Sequence, residues 1–235
     1  MSVTVRCYAA AAERLGPRVE VDVGAPATAG QVRAALVAAH PDAAELIGQC
    51  RLAVDLDIAA GDTPVEPDSE VALLPPFAGG AGSGAAEGAG DAAVVIDVRP
   101  PPLVVEEVLA AIAHPAAGAQ AVFLGRVRDH SSGDPAVHRL DYSAYEPMAR
   151  EVMTTIADET RARWPSVCGI ALLHAVGELA VGAHSVLVAC SSPHRAEAYQ
   201  ANQHALEQLK ARVPVWKREV GSRGSRWVNL QAPTG

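Results

Sequence analysis

Hydrophobic and polar residues alternate along several short segments of the first 80 residues, as they do in strands that are buried on one face. An Ala-rich segment that stops at Gly16 predicts a short helix. Thr28 and Gln31 have the spacing of a capping box, which predicts a second helix through about Ala39. The predicted strands cover residues 3–7, 19–23, 51–56 and 69–74. This β-α-β-α-β-β order predicts a small α+β domain, for which β-grasp is the natural candidate.

The pattern after residue 93 again mixes strands with helices. Met148, Val152 and Ile156 repeat every four residues after Pro147, which predicts a helix that ends near Trp164. Two further helices are predicted at residues 103–113 and from 193 to just before 214, and strands at residues 94–98, 119–127, 137–144, 167–174 and 184–191. A second domain that mixes helices and strands is therefore expected.

A Gly-rich segment separates these two regions. Residues 79–93 read GGAGSGAAEGAGDAA, in which six of fifteen positions are Gly and none is a large apolar residue. Such a composition is typical of a flexible linker. We therefore expect one domain at residues 1–80, a linker at 81–93 and a second domain at 94–235.

Composition excludes several classes of protein. Hydrophobic residues make up 49% of the chain and charged residues 20%, as in a folded globule, and no apolar run reaches the roughly 20 residues of a membrane span. The N-terminus lacks a signal-peptide pattern, and the four cysteines are far apart, which favours reduced thiols in the cytoplasm over a zinc site or a disulfide framework. The net charge of −8 argues against a nucleic-acid partner.

Lysine is scarce in this chain. Of the nineteen basic residues, seventeen are Arg and two are Lys, at positions 210 and 217. An amine can titrate or attack where a guanidinium cannot, so the two lysines are candidates for chemistry. Trp216 precedes Lys217, and an aromatic wall can reduce the hydration of an amine and lower its pKa. The alternative is a helix C-terminus that carries favourable cations.

Two other segments are candidate anion sites. Ser192 as N-cap and Pro193 at the first helical position would place His194 and Arg195 in the first turn of a helix, where free N–H groups add to the two cations. The alternative is an ordinary capped helix with a solvated His-Arg pair. A weaker candidate is the strand end Gly125-Arg126-Val127-Arg128, which alone would usually be solvated.

The first domain ends in the sequence LLPPFAGG, at residues 73–80. Two prolines favour an extended chain, and two glycines can pass through a channel that any Cβ would block. The alternative is that Gly79 and Gly80 simply begin the linker. A β-grasp unit with this ending resembles the ubiquitin-like sulfur-carrier subunit of molybdopterin synthase.

The resemblance implies that Gly80 is the acyl carrier. In that family an ATP-dependent enzyme adenylates the terminal Gly carboxylate, and a persulfide donor converts it to a thiocarboxylate. Here Gly80 is followed by Ala81, so the peptide bond between them must be cleaved before activation.

The second domain resembles the catalytic (large) subunit of molybdopterin synthase. The resemblance implies an α/β domain of the type found in that subunit. The segments that carry this resemblance are FLGRVRDH, YEPMA, GEL, SSPHR and LKARVPVWKRE. The resemblance implies that cyclic pyranopterin monophosphate receives sulfur to form the dithiolene of molybdopterin. We expect no metal or other cofactor, since no Cys/His cluster has the spacing of metal ligands. The resemblance also implies a substrate pocket lined by Arg126, Val127, Arg128, His194, Arg195, Lys210, Lys217, Arg218 and Glu219. One departure is Ala175, where the family commonly has Arg after His.

The spacing of these residues predicts a homodimer. His194 and Lys210 are sixteen residues apart on one predicted helix, which corresponds to about 24 Å at 1.5 Å per residue. Both cannot contact one small pterin from the same chain if that helix is continuous. A site shared between two subunits is the simplest arrangement that lets both contribute.

The sequence thus predicts a fused molybdopterin synthase, with Gly80, Lys210 and Lys217 as catalytic residues. We expect Lys210 to have the covalent or acyl-transfer role and Lys217 to act as a general acid or electrostatically. Two alternatives remain: a carrier fused to a phosphate-ligand-binding module that acts as a regulated precursor or scaffold, and a hydrolase that uses the lysine pair.

Overall fold

The computed structural model describes residues 1–76 and 92–228, and these form two separate compact units. Gly80, the end of the LLPPFAGG segment and residues 81–91 of the predicted linker lie outside the described residues. Each unit has its own hydrophobic core. None of the helices in the described ranges is long and apolar enough to cross a membrane.

The first unit contains one principal sheet with helices against one face. Its strands are β1 (Ser2–Cys7), β2 (Arg18–Asp22), β3 (Ala27–Thr28), β4 (Arg51–Val54), β5 (Asp57–Ile58), β6 (Pro64–Val65) and β7 (Val71–Leu74), and its helices are α1 (Ala9–Leu15), α2 (Ala29–Ala39) and α3 (Ala44–Gln49). The sheet order is β2-β1-β7-β4-β5, with β1 and β7 parallel. This is the predicted β-grasp arrangement.

Local chemistry explains the long helix of this unit. The Thr28 hydroxyl accepts a hydrogen bond from the Gln31 amide, and the Gln31 side chain accepts one from the Thr28 amide, so the predicted capping box is confirmed. Val32 and Leu36 lie one turn apart and are buried in the core formed with the alternating valines of β1 and β2.

Two strands of the first unit are shorter than predicted. Strand β7 begins at Val71 rather than at residue 69. The strand expected at residues 51–56 ends at Val54, because Asp55 and Leu56 adopt positive φ angles of 50° and 74° in the turn to β5. The Asp55 carboxylate accepts hydrogen bonds from the Ser69 hydroxyl and the Glu70 amide, which stabilises that turn. Short elements such as α3, β3, β5 and β6 were not predicted, since six residues or fewer carry little periodicity.

The second unit has two four-stranded sheets. The strands are β8 (Ala93–Arg99), β9 (Ala119–Arg126), β10 (Val137–Ala144), β11 (Gly169–Ala175), β12 (Gly177–Ala180), β13 (His184–Ser192), β14 (Val215–Gly221) and β15 (Gly224–Val228), and the helices are α4 (Val105–Ala111), α5 (Glu146–Arg163) and α6 (Arg195–Arg212). The first sheet has the order β8-β11-β13-β9 and the second β12-β10-β14-β15.

The first sheet of this unit is covered on both faces. On one face Leu172 and Val188 pack with Ile156 of α5 and Ala205 of α6. On the other face, residues of β11 and β13 pack with α4 and with β10 and β12 of the second sheet. Because both faces are covered, β11 and β13 are almost continuously buried rather than alternating.

Three parts of the second unit differ from the prediction. Ser192 is not an N-cap but the last residue of β13, paired with Ala119, so His194 is the N-cap and α6 begins at Arg195. Helix α5 begins at Glu146, one residue before Pro147. The strands β12, β14 and β15 were not predicted, and Lys217 therefore lies on a strand rather than at the end of a helix.

The cysteines are thiols in this structure. Cys7, Cys50 and Cys190 are buried, and Cys168 is partly exposed. Burial raises the pKa of Cys7 to about 11 and the pKa of Cys190 to about 12, so both thiols stay protonated near neutral pH.

Candidate active site

The second sheet places Lys217 and Glu219 on the same face of β14. Residues two apart on a strand point to the same side, whereas Trp216 and Arg218 point to the other. The Lys217 Nζ lies 4.0 Å from Oε1 of Glu219. Glu219 is only 5% exposed, so this carboxyl group depends on neighbouring donors rather than on water.

Two side chains bind the second oxygen of Glu219. Its Oε2 accepts a hydrogen bond of 2.9 Å from the Ser131 hydroxyl and one of 2.8 Å from the Arg226 guanidinium. Burial acts to raise the pKa of Glu219, but the Arg226 and Ser131 hydrogen bonds and the charge of Lys217 outweigh it and lower the pKa. Glu219 is therefore a carboxylate at neutral pH.

Ser131 belongs to a loop that is fixed to the β14–β15 hairpin. The buried Asp134 carboxylate accepts hydrogen bonds from the Ser222 hydroxyl (2.6 Å), the Ala136 amide (3.0 Å) and the Arg223 amide (2.9 Å). The Ser222 bond and these two backbone bonds lower the pKa of Asp134 to about 2. The loop that carries Ser131 is thus attached to the hairpin that carries Glu219.

Lys217 is half-buried among other cations. Burial lowers its pKa, Glu219 opposes this shift, and the nearby charges of Arg128, Arg226 and Lys210 lower the pKa further. More of the neutral amine is therefore present near physiological pH than for a solvated lysine. The same four cations give this region a positive potential that suits an anionic substrate.

Lys210 approaches this region from helix α6. It lies in the last turn of the helix, its side chain is exposed, and its Nζ is 5.1 Å from the centre of the Phe123 ring on β9. An ammonium at this distance is attracted to the face of the ring. Helix α6, strand β14 and the segment after β9 thus bring Lys210, Lys217 and Arg128 together.

Tyr142 forms part of the same face, since it pairs directly with Lys217 across β10 and β14. Its ring contacts His174 edge to face, with 5.0 Å between ring centres, and its hydroxyl shares a hydrogen bond with Ser185. Burial raises the pKa of Tyr142, and burial lowers the pKa of His174 to about 4. Both side chains are neutral at physiological pH.

Other predicted site residues lie apart from the lysines. Arg218 points to the opposite face of β14, where it binds the Asp141 carboxylate at 2.9 Å and lies over the Trp227 ring. The Arg126 Nε donates to the Gly182 carbonyl oxygen at 3.0 Å, and Val127 is buried in the core. The structure groups Arg128, but not Arg218, with the two lysines.

His194 and Arg195 lie at the other end of helix α6 from Lys210, and both are exposed. The helix is continuous over Arg195–Arg212, so the rise of 1.5 Å per residue separates the two ends by about 24 Å. Within one chain, His194 and Lys210 therefore do not approach the same small molecule.

Ser131 and Arg226 were missed by the sequence analysis. Arg226 pairs with Glu219 across the β14–β15 hairpin, and the four-residue segment Gly221-Ser222-Arg223-Gly224 forms its turn. That Gly-bounded turn was the available signal, because it sets which residues of the two strands face each other. Ser131 gave no signal beyond its place in a polar loop.

The arrangement of charges suits an anion rather than a metal. Within residues 1–76 and 92–228, no three His, Cys, Asp or Glu side chains are grouped as a metal site would require. Lys217 and Arg226 instead lie beside the buried Glu219 carboxylate, and the charges of Arg128 and Lys210 act on Lys217. Such a site can bind a phosphate or carboxylate and can supply an amine whose pKa is lowered.

Comparison with known proteins identifies both units. Residues 98–212 match the MoaE protein family, and residues 5–80 match the ThiS family. The molybdopterin synthase catalytic subunit of Bacillus subtilis is 37% identical over 138 residues, which cover 59% of this chain and 87% of that relative. The chain belongs to the molybdopterin synthase catalytic subunit family. Catalytic subunit 1 of Mycobacterium tuberculosis is 42% identical over 127 residues, which cover 54% of this chain and 85% of the relative.

A solved structure agrees with this membership of the molybdopterin synthase catalytic subunit family. The crystal structure of molybdopterin synthase from Staphylococcus aureus has a TM-score of 0.54 and 36% identity, and the match covers 57% of this chain and 96% of that one. The predicted fusion of a sulfur-carrier domain with a catalytic domain is confirmed, as is the predicted role in molybdenum cofactor biosynthesis through sulfur transfer. The scaffold alternative is not favoured.

Proposed function

We propose that the second unit transfers sulfur from a thiocarboxylate on Gly80 to cyclic pyranopterin monophosphate and so forms the dithiolene of molybdopterin. The observation that carries this proposal is the group of Lys210, Lys217 and Arg128 beside the buried Glu219 carboxylate. An anionic phosphate substrate and an anionic sulfur donor both need a positive site, and the transfer needs an amine that can act on an acyl group.

The carrier arm requires three earlier steps. Cleavage of the Gly80–Ala81 bond gives a free carboxylate, and a partner enzyme adenylates it with ATP and releases pyrophosphate. The terminal sulfur of a persulfide donor then displaces AMP to form an acyl disulfide, and a thiol cleaves the S–S bond, which releases the thiocarboxylate and leaves a disulfide. The match of residues 5–80 to the ThiS family supports this use of the first unit. We place the whole sequence of reactions in the cytoplasm, where persulfide donors and reduced thiols persist.

The two lysines have different surroundings, which supports different roles. Lys210 is exposed at the end of α6, where an incoming arm can reach it, and we assign it the covalent or acyl-transfer role. Lys217 is half-buried and faces a carboxylate that is fixed by two hydrogen bonds. We assign Lys217 the general acid or electrostatic role, in which it stabilises charge that develops during transfer.

We further propose that the working site is shared between two copies of the chain. His194 and Arg195 lie where the helix N-terminus adds its partial positive charge to theirs, which favours a phosphate. Arg126 and Arg128 would contribute to the same anion site. The continuous helix α6 supports the dimer, because one chain cannot bring His194 to its own Lys210.

Intact-mass measurement of the protein from its native cell tests the carrier role. We expect a fragment that ends at Gly80, together with a form heavier by the mass difference between sulfur and oxygen. Assay of the purified, sulfur-loaded protein with cyclic pyranopterin monophosphate tests the catalytic role. Lys210→Ala should abolish conversion but leave the fold intact, whereas full conversion by uncleaved chain would contradict the proposal.

A further inference from the structure

We propose that Ser131 and Arg226 are positioning residues that hold one oxygen of Glu219 and thereby direct its other oxygen toward Lys217. The two oxygens of this carboxylate have different partners. Oε2 accepts from the Ser131 hydroxyl at 2.9 Å and from Arg226 at 2.8 Å, while Oε1 lies 4.0 Å from the Lys217 Nζ. This inference deepens the proposed function and rests on it for the role of Lys217.

The Ser131 hydroxyl is itself fixed in direction. Its oxygen accepts hydrogen bonds from the Gly133 amide at 3.2 Å and the Asp134 amide at 3.1 Å, so its single proton is left for Glu219. A hydroxyl with both lone pairs engaged rotates less freely than an isolated one. Ser131 therefore sets the plane of the carboxylate rather than merely contacting it.

Arg226 is fixed by the same loop. Its Nη2 also lies 3.3 Å from the Ser131 oxygen, and the guanidinium lies where a side chain on Gly133 would be. A Cβ at Gly133 would meet Nη2 of Arg226 at 1.7 Å. The absence of a side chain at position 133 is thus what allows the guanidinium to reach Glu219.

Arg226 acts on Lys217 in two ways. It neutralises part of the Glu219 charge, and its own positive charge opposes protonation of the nearby amine. The charged and titratable groups around Lys217 are Glu219 and Arg226 from the hairpin, Arg128 from the segment after β9, Lys210 from α6 and Tyr142 from β10. Loss of Arg226 should favour the protonated amine, and loss of Glu219 should favour the neutral amine.

The two-lysine composition makes this testable without any substrate. Acetylation of the full-length protein with acetic anhydride, followed by peptide mass spectrometry, reports Lys217 and uses Lys210 as a reference on the same chain. The reaction rate follows the neutral fraction of each amine over a pH range from about 6 to about 11. The variants are Arg226→Gln, Glu219→Gln and Ser131→Ala. Arg223→Gln is the control, because Arg223 lies in the turn of the same hairpin and its side chain donates to the Gly133 carbonyl oxygen rather than to Glu219.

We expect Arg226→Gln to slow acetylation of Lys217 about threefold or more at pH values below its midpoint, and Glu219→Gln to accelerate it. Arg223→Gln should leave the rate unchanged. Equal effects of Arg226→Gln and Arg223→Gln would overturn the proposal, because they would reflect net charge alone. A general loss of structure would not slow acetylation of Lys217 in Arg226→Gln and accelerate it in Glu219→Gln.

Ser131 provides a second test that involves no change of charge. Ser131→Ala should accelerate acetylation of Lys217 when Glu219 is present, because Oε1 of Glu219 is then no longer held toward the amine. The same change should have little effect in the Glu219→Gln variant, and Ser131→Thr, which keeps the hydroxyl, should restore the original rate. The same effect of Ser131→Ala in both backgrounds would show that Ser131 does not act through Glu219. If acetylation behaves as proposed but Lys217→Ala still converts the pterin, the assigned role of Lys217 is wrong and the positioning stands.

Discussion

Glu219 and Arg226 lie directly opposite each other on β14 and β15, and their side chains form an ion pair of 2.8 Å at a position that is buried on the glutamate side. Exposed ion pairs contribute little to stability, but here one partner is a desolvated carboxylate that also faces Lys217. The pair therefore matters both for how the amine is held and for the stability of the hairpin.

Gly133→Ala should disturb the site at a moderate cost in stability. The new Cβ would displace the flexible end of Arg226 rather than backbone, and the buried Glu219 carboxylate would lose one of its two donors, so we expect the free energy of unfolding to fall by about 1 to 3 kcal/mol. Acetylation of Lys217 should slow as in Arg226→Gln. Gly221→Ala is the contrast, because its Cβ would meet the Ala136 carbonyl oxygen at 2.4 Å and must move backbone. If Gly133→Ala is as destabilising as Gly221→Ala, the explanation is wrong.

Asp134 should make the second unit sensitive to acid. Hydrogen bonds, of which the one from Ser222 has the largest effect, lower its pKa to about 2 from 3.8, the pKa expected in the unfolded chain. The stabilising contribution of Asp134 is therefore complete above pH 3.8 and is lost as the pH falls toward 2. Thermal midpoints measured from about pH 5 to about pH 2 should fall more steeply for the original protein than for Asp134→Asn. Parallel curves for the two proteins would contradict the prediction. Asp134→Asn should be the less stable protein at neutral pH.

His174 should add a second pH dependence at higher pH. Burial lowers its pKa to about 4, so the unfolded chain binds a proton near pH 6.5 that the folded chain does not bind. Stability should therefore decline as the pH falls from about 6.5 to about 4, by about 3 kcal/mol in total. His174→Phe keeps a ring beside Tyr142 and removes the titration. Denaturant unfolding across this range should show a flatter profile for that variant, and an unchanged slope would exclude His174 as the cause.

Arginine substitutions should separate the roles of the two lysines. Lys210→Arg keeps the charge but removes the attacking amine, so we expect pterin conversion to fall about 100-fold or more if its role is covalent. Lys217→Arg keeps charge beside Glu219 and should retain more activity than Lys217→Ala. Single-turnover assays with sulfur-loaded protein measure both effects. The opposite ranking, with Lys210→Arg active and Lys217→Arg inactive, would exchange the two assignments.

Mixing of inactive variants should restore activity if the site is shared. A Lys210→Ala chain and a chain with His194→Ala and Arg195→Ala are each expected to be inactive. In a mixed dimer one site carries all the substitutions and the other carries none. Because random pairing makes about half of the dimers mixed, about one quarter of all sites should be intact. Co-expression followed by pterin assay tests this. No recovery from dimers shown to contain both chains would place the whole site within one subunit.

The sequence predicted those parts of the fold in which one physical signal dominates. Alternating valines gave β1 and β2, the Thr28–Gln31 capping box gave α2, and runs of apolar residues gave β11 and β13. The start of α6 was predicted two residues early, because the Ser-Pro pair is a strong helix signal. In the structure Ser192 keeps its place in the β13–β9 ladder, where its backbone pairs with Ala119.

The sequence analysis did not predict strand β14, because one of its two buried residues is the site carboxylate Glu219. Trp216 and Glu219 are its two buried residues, and they are three positions apart, so they lie on opposite faces and give no period of two. A carboxylate occupies a position where a strand would ordinarily carry an apolar side chain. Arg226 could have been found from the Gly-bounded turn that sets the hairpin register, whereas Ser131 is identified only by its hydrogen bond to Glu219.

Helix α6 also restricts how this chain can change in length. Insertion of one residue within its eighteen would turn everything beyond it by about 100° and carry Lys210 away from Phe123. Relatives that tolerate insertions in this domain should therefore place them in loops such as residues 113–118, and leave the residue count between Arg195 and Lys210 unchanged.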